Sequence, residues 1–137
     1  MYEKGRRFDA TSSLSIEMIV ESIKRDIKVE LPDVKALVEL ADGHKGAFIQ
    51  ITVTDLQINP INARYVRDMY SRSGVYLTYK ETKEDWINGD GVMVLEVIKD
   101  IADAYNHEDP RLVRFHGNIA YQYRLLQRKT RALLEAA

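Results

Sequence analysis

Hydrophobic residues return at helical spacing in two stretches of the chain. Over residues 15–30 they recur every three or four positions, with charged residues on the opposite side, which predicts an amphipathic helix that Pro32 ends. After Asp90 and Gly91 the same spacing predicts a second helix that ends near Asn106. The apolar positions of the two helices are Ile16, Ile19, Val20, Ile23, Ile27, Val94, Leu95, Ile98, Ile101, Ala102 and Tyr105.

Elsewhere, mainly apolar residues occupy every second position, and this period of two predicts strands. Residues 34–41 and 47–54 alternate on either side of a turn-like Asp-Gly-His-Lys-Gly sequence, which predicts an antiparallel hairpin. Residues 119–126 predict a last strand that would place Tyr121 and Tyr123 on one face, and residues 75–79 predict a further strand. Between the hairpin and residues 75–79, Asn59 followed by Pro60 is typical of a helix start and predicts a short helix to about residue 71.

The predicted order of elements is α-β-β-(α)-β-α-β. This order is typical of an α+β fold, in which helices pack on one face of an antiparallel sheet of three to four strands. Residues 1–13 are expected to form a flexible arm and residues 14–126 a single α+β domain. Residues 127–137 are expected to form a C-terminal basic helix or tail. The mixed second face of the hairpin, together with the late strand, could support a homodimer.

The composition is that of a soluble globular protein. The chain has 137 residues, of which 45% are hydrophobic and 30% charged. It contains no cysteine, which excludes disulfides, thiolate metal sites and a cysteine nucleophile. No apolar run is long enough to span a membrane, and the first residues lack the apolar stretch of a signal peptide. We therefore expect a cytoplasmic protein that does not bind membranes.

Charge is unevenly distributed although the formal net charge is −1. Residues 80–109 contain three basic and nine acidic residues, and residues 110–137 contain six basic and one acidic residue. The overall balance argues against a dedicated nucleic-acid binder. The two charged segments could be solvated surfaces, could attract each other across the fold, or could form a contact face for a charged partner or for head-to-tail association.

No catalytic, metal or cofactor site is predicted. The chain lacks a phosphate loop, a nucleophile elbow and a zinc-protease motif. The Asn-Gly-Asp-Gly sequence at 88–91 does not fit a calcium loop, because Trp86 and Val97 would have to be ligands. His107 has no second histidine at ligand spacing. The acidic start of the second long helix, Asp90 to Glu96, also differs from the basic start that double-stranded-RNA-binding domains need.

Tyrosine and tryptophan provide the candidate contact residues. The chain has eight tyrosines, and tyrosine and arginine are enriched where proteins meet. Tyr121 and Tyr123 could form a core layer or a contact surface, and Trp86 could be a lid over the core edge or an exposed anchor. The candidate partner-binding residues are Asp85, Trp86, Asp90, Tyr121, Tyr123, Arg124, Arg128, Lys129 and Arg131.

Three segments, residues 23–40, 46–56 and 101–123, resemble a known family, the large polyvalent protein-associated domains of type twenty-nine. The similarity is carried by Pro32-Asp33-Val34-Lys35, Thr54-Asp55 and Tyr105-Asn106. Against that pattern, residues 57–91 look like an insertion, and Phe115-His116 stands where the family has an aspartate-aromatic pair.

The resemblance implies an origin in phages and other mobile elements, where such domains accompany modules that counter host defences. The family has no defined activity, so no catalytic residue is implied. We therefore expect a small non-enzymatic binding protein, similar in kind to anti-CRISPR proteins, that inhibits a host defence protein or complex by surface contact. The alternative is an accessory nucleic-acid-binding protein that uses the arginine-rich C-terminal segment.

Overall fold

Seven helices and strands make up the part of the chain that the computed structural model describes, residues 7, 14–43, 46–73, 86–106 and 114–136. In chain order they are α1 (Ile16–Glu30), β1 (Val34–Gly43), β2 (Gly46–Leu56), α2 (Ala63–Ser73), α3 (Gly89–Asp103), β3 (His116–Tyr121) and α4 (Tyr123–Glu135). The α+β class is confirmed. The strand predicted over residues 75–79 lies outside the described residues, as do Asp85 and His107.

Helix α1 forms as its sequence predicts. The Ser15 side chain accepts a hydrogen bond from the Met18 amide at 3.2 Å and so caps the first turn. At the other end, the Leu31 amide donates to the Ile27 carbonyl at 2.8 Å, immediately before Pro32. The predicted apolar positions Ile19, Val20, Ile23 and Ile27 are all buried.

The sheet is mixed, with strand order β1-β2-β3. The predicted hairpin is confirmed, since β1 and β2 pair antiparallel with Val38 opposite Ile51. The expectation of a wholly antiparallel sheet is wrong for β3, which pairs parallel to β2 with Ile119 opposite Ile51. The chain passes through α2 and α3 between these two strands, and such a crossover returns it to the same end of the sheet before the next strand begins.

The predicted last strand ends earlier than its alternation suggests. β3 stops at Tyr121, and α4 begins at Tyr123. The adjacent pair Leu125 and Leu126 is buried, together with Thr130. Two neighbouring buried side chains fit a helix against a core but not a strand with one buried face, because successive strand residues point to opposite sides.

Helices α1 and α3 lie side by side on one face of the sheet, because α1 contacts β1, α3 contacts β3, and the two helices contact each other. The strands bury Val38, Ile49, Ile51 and Val53. The same core continues to α2 and α4, which pack together. Residues from the insertion-like range 57–91 that belong to this core are Ile61, Val66 and Trp86.

Helix α2 begins later than predicted. The Asn62 side chain, rather than that of Asn59, accepts from the amide of a first-turn residue, Tyr65, at 3.4 Å. Ile61 does not enter the helix, because it forms an isolated antiparallel bridge with Ile87. This bridge joins the segment before α2 to the segment before α3.

Candidate functional site

Two side chains attach helix α4 to β2 and to the segment that follows it. The Lys129 ammonium group donates to the Leu56 carbonyl at 2.9 Å, at the end of β2. The Asn59 side-chain amide donates to the Lys129 carbonyl at 3.0 Å. Lys129, one of the candidate contact residues, therefore uses its ammonium group to hold α4 against the end of β2.

The exposed side of α4 presents three arginines. Arg124, Arg128 and Arg131 are all exposed, and spacings of four and three residues place them on one helical face over a length of about 10 Å. We call these three residues the arginine stripe. Arg128 forms an ion pair with Asp55 at 3.1 Å, while Arg124 and Arg131 form none with any described residue.

The start of α4 adds to this positive charge. Its first turn contains no acidic residue, and Gln122 provides no side-chain cap. The free amides of a helix start carry partial positive charge, here beside Arg124. Tyr123, in the same first turn as Arg124, has 39% of its surface exposed. The four residues could hold an anionic surface through charge-assisted hydrogen bonds and ring contacts.

A second pair of arginines lies on α2, the helix that packs against α4. Arg64 and Arg67 are exposed and three residues apart, so they share a helical face. Neither arginine was among the predicted contact residues, because the charge of residues 31–79 is balanced as a whole. Their spacing within a predicted helix was the signal that could have identified them.

Trp86 is not an exposed anchor. Only 3% of its surface is accessible, and its carbonyl accepts a hydrogen bond from the Asn62 amide at 2.7 Å. The Ile61–Ile87 bridge holds this segment against the core. The interpretation of Trp86 as an exposed anchor is therefore wrong, and its side chain belongs to the core.

Tyr121 is also buried, with 5% of its surface accessible. Its hydroxyl group donates to the Gly91 carbonyl at 2.5 Å, and burial raises the pKa of this hydroxyl well above its usual range. Tyr121 therefore cannot share a contact face with Tyr123. Asp90 is exposed in the first turn of α3. Of the candidate residues that the structure describes, Arg124, Arg128 and Arg131 share one exposed helical face, and Tyr123 is exposed in the first turn of the same helix.

Gly91 makes the close approach of α3 to the segment before α2 possible. The Asn88 side chain accepts from the Gly91 amide at 2.7 Å and donates to the carbonyls of Asn59 and Ile61. A methyl group on Gly91 would lie 2.6 Å from the Ile87 side chain and 2.8 Å from the Pro60 carbonyl oxygen. This junction positions the start of α3 and, through Tyr121, the strand that leads into α4.

Among the described residues, no group of three histidine, cysteine, aspartate or glutamate side chains could hold a metal ion. Within the same part of the chain, none of the helices combines the length and the apolar character that crossing a bilayer requires. The geometry of the arginine stripe supports noncovalent binding of an anionic partner.

Comparison of the chain with protein-family models, with curated proteins and with solved structures gives no match. The resemblance to the large polyvalent protein-associated domains stays an expectation from the sequence.

Proposed function

We propose that this chain is a non-enzymatic binding protein whose arginine stripe contacts an acidic surface of a partner protein. The observation that carries the proposal is the alignment of Arg124, Arg128 and Arg131 on the exposed side of α4, with only Asp55 as a described counter-charge. Guanidinium groups bind carboxylates through two parallel hydrogen bonds, which gives such a contact both strength and orientation.

A protein partner fits the stripe better than a nucleic acid does. Three cations over about 10 Å can meet few phosphates, and nucleic-acid affinity grows with the number of phosphates that a protein neutralises. The formal charge of the whole chain, −1, gives no long-range attraction to a polyanion. The adjacent exposed Tyr123 also matches the residue types that are enriched at protein interfaces.

The biological setting that we propose rests on the sequence resemblance alone. In that setting the protein comes from a phage or another mobile element and acts in the cytoplasm of a bacterial host. It would block a host defence protein or complex by occupying the acidic surface that the arginine stripe recognises.

Charge reversal on the stripe tests the proposal. The stripe variant Arg124→Glu is compared with the control Lys99→Glu, which makes the same change in net charge at an exposed position of α3. Immobilised proteins are incubated with host lysate, with and without nuclease, and the bound proteins are quantified. We expect a protein that the original chain and the Lys99→Glu control retain, that the stripe variant loses at least about tenfold, and that nuclease does not release.

Two results would overturn the proposal. If the stripe variant retains the same proteins as the original chain, the stripe is not the contact surface. If nuclease removes the captured material, and binding to a duplex oligonucleotide falls steeply with salt, the stripe binds phosphates instead. Circular dichroism and thermal melts of both variants establish that neither change has unfolded the protein.

A further inference from the structure

A groove of about 770 Å³ runs between α1 and the outer edge of β1, on the opposite side of β1 from β2. Ile27 of α1 and Val38 of β1, both buried, line it together with Ala36 and so give it an apolar floor. The groove is separate from the arginine stripe, because none of its lining residues belongs to α2 or α4.

The outer edge of β1 carries backbone groups without strand partners in the described part of the chain. β1 is the first strand in the order β1-β2-β3, and no other described strand pairs with it. At ten residues it is long for an edge strand. An exposed edge of this kind can add a further strand through backbone hydrogen bonds.

Basic side chains surround the groove. Lys24, Arg25 and Lys28 of α1 and Lys35 of β1 line it, and Glu21 provides the one carboxylate among its described lining residues. Lys24 pairs with Glu21 at 3.0 Å, while Lys28 and Lys35 form no ion pair with any described residue. A segment lying in the groove would therefore meet an excess of positive charge.

We propose that this groove binds an extended acidic segment of a partner protein, which adds to β1 as a further strand. Side chains on one face of a strand are about 6.6 Å apart, and helix residues four apart are about 6 Å apart. Two carboxylates separated by one residue in the added strand can therefore reach Lys24 and Lys28 together. The methylene groups of glutamate would cover the apolar floor.

The positive charge of the groove also disfavours a second copy of this chain as the occupant. Two β1 edges that pair about a twofold axis would bring the same lysines together, and like charges in such an interface repel. A nucleic acid would use the cations but would leave the strand edge and the apolar floor unpartnered. An acidic extended peptide is the occupant that satisfies all three features.

The test uses a fluorescein-labelled peptide of seven residues that alternates glutamate with valine, with binding measured by fluorescence anisotropy at about 0.15 M salt. We expect binding that Lys24→Glu/Lys28→Glu weakens at least about tenfold. The matched variant Arg124→Glu/Arg131→Glu should leave this affinity unchanged, so the result does not depend on the function proposed for the stripe.

Two modified peptides separate the parts of the proposal. Replacing glutamate by glutamine should weaken binding, since the carboxylates are removed. N-methylation of alternate backbone amides should also abolish it, since strand addition needs those donors. Equal binding of either modified peptide would overturn the proposal. The proposal would also be overturned by self-association in sedimentation experiments that Lys24→Glu/Lys28→Glu abolishes. Displacement of the peptide by an oligonucleotide at the same salt concentration would overturn it as well.

Discussion

The hydroxyl group of Tyr105 donates a hydrogen bond to the carboxylate of Asp26, and this bond joins the end of α3 to α1. Arg7 lies over the same ring, with its guanidinium carbon 5.6 Å from the ring centre, and its amide donates to the Ala104 carbonyl at 2.7 Å. A residue of the predicted flexible arm is thus held at the point where the two helices meet.

Removing the Tyr105 hydroxyl should destabilise the protein. In Tyr105→Phe, the largely buried carboxylate of Asp26 loses a donor, and we expect the free energy of unfolding to fall by about 1–2 kcal/mol. Urea denaturation followed by circular dichroism measures the change. The control Tyr123→Phe alters an exposed tyrosine and should stay within about 0.5 kcal/mol of the original chain. Equal stability of Tyr105→Phe would contradict the assigned hydrogen bond.

Two tyrosines should make the protein sensitive to alkaline pH. Burial raises the pKa of Tyr105 and of Tyr121, and the hydrogen bond to Asp26 raises that of Tyr105 further. In the unfolded chain both hydroxyls ionise near pH 10. Above that pH unfolding releases protons that the folded protein retains, so the free energy of unfolding must fall as pH rises. Below about pH 9 these tyrosines should contribute no pH dependence.

Urea denaturation at a series of pH values up to about 11 measures this effect. Each tyrosine that keeps its proton only in the folded state contributes a slope of about −1.4 kcal/mol per pH unit. Tyr121→Phe should make the fall between pH 10 and 11 smaller by about 1 kcal/mol, because the unfolded tyrosine is only partly ionised at the start of that interval. An unchanged slope would show that Tyr121 ionises equally in the folded and unfolded states.

A methyl group at Gly91 should be poorly tolerated. It would lie 2.8 Å from the Pro60 carbonyl oxygen, a backbone atom that cannot move without disturbing the Asn88 hydrogen bonds. We expect Gly91→Ala to lower the free energy of unfolding by about 2 kcal/mol or more. Gly89→Ala is the matched control, because a methyl group there meets nothing within 4 Å. If both variants unfold at the same urea concentration, the close approach at Gly91 is not present in solution.

The sequence predicted the elements whose pattern is local. The apolar face of α1 from Ile19 to Ile27 is complete within one helix, and the alternation around Val38 and Ile51 lies within one hairpin. The direction of β3 could not be read in the same way, because it depends on the path of the chain through α2 and α3. Nor could the end of β3, because Tyr121 and Tyr123 continue its alternation into the first turn of α4.

The candidate site was predicted in part for a similar reason. The spacing of Arg124, Arg128 and Arg131 was visible in the sequence, but the α-helical spacing that aligns them was hidden by the predicted strand. The position of Trp86 depends on a bridge between residues 26 positions apart in the chain, Ile61 and Ile87. Its charged neighbours in the sequence therefore gave no information about its burial.

The fluorescence of the single tryptophan should report a buried site. Trp86 has 3% of its surface accessible, so its emission should lie at short wavelength, resist iodide quenching and shift to the red in urea. Trp86→Ala should lower the free energy of unfolding by about 3–5 kcal/mol. Trp86→Phe should be milder, because the indole N–H has no hydrogen-bond partner among the described residues to lose. Ready quenching by iodide in the native protein would restore the exposed-anchor interpretation.

The hydroxyl group of Thr130 offers a way to stabilise the protein. It is buried on α4 and has no hydrogen-bond partner among the described residues. Thr130→Val replaces it with a methyl group of similar size, so we expect a gain of about 1 kcal/mol in the free energy of unfolding. Thr130→Ser keeps the hydroxyl, removes the methyl group and should lose about 1 kcal/mol. Urea denaturation of the pair separates the two contributions, and a loss of stability in Thr130→Val would mean that the hydroxyl is hydrogen-bonded in solution.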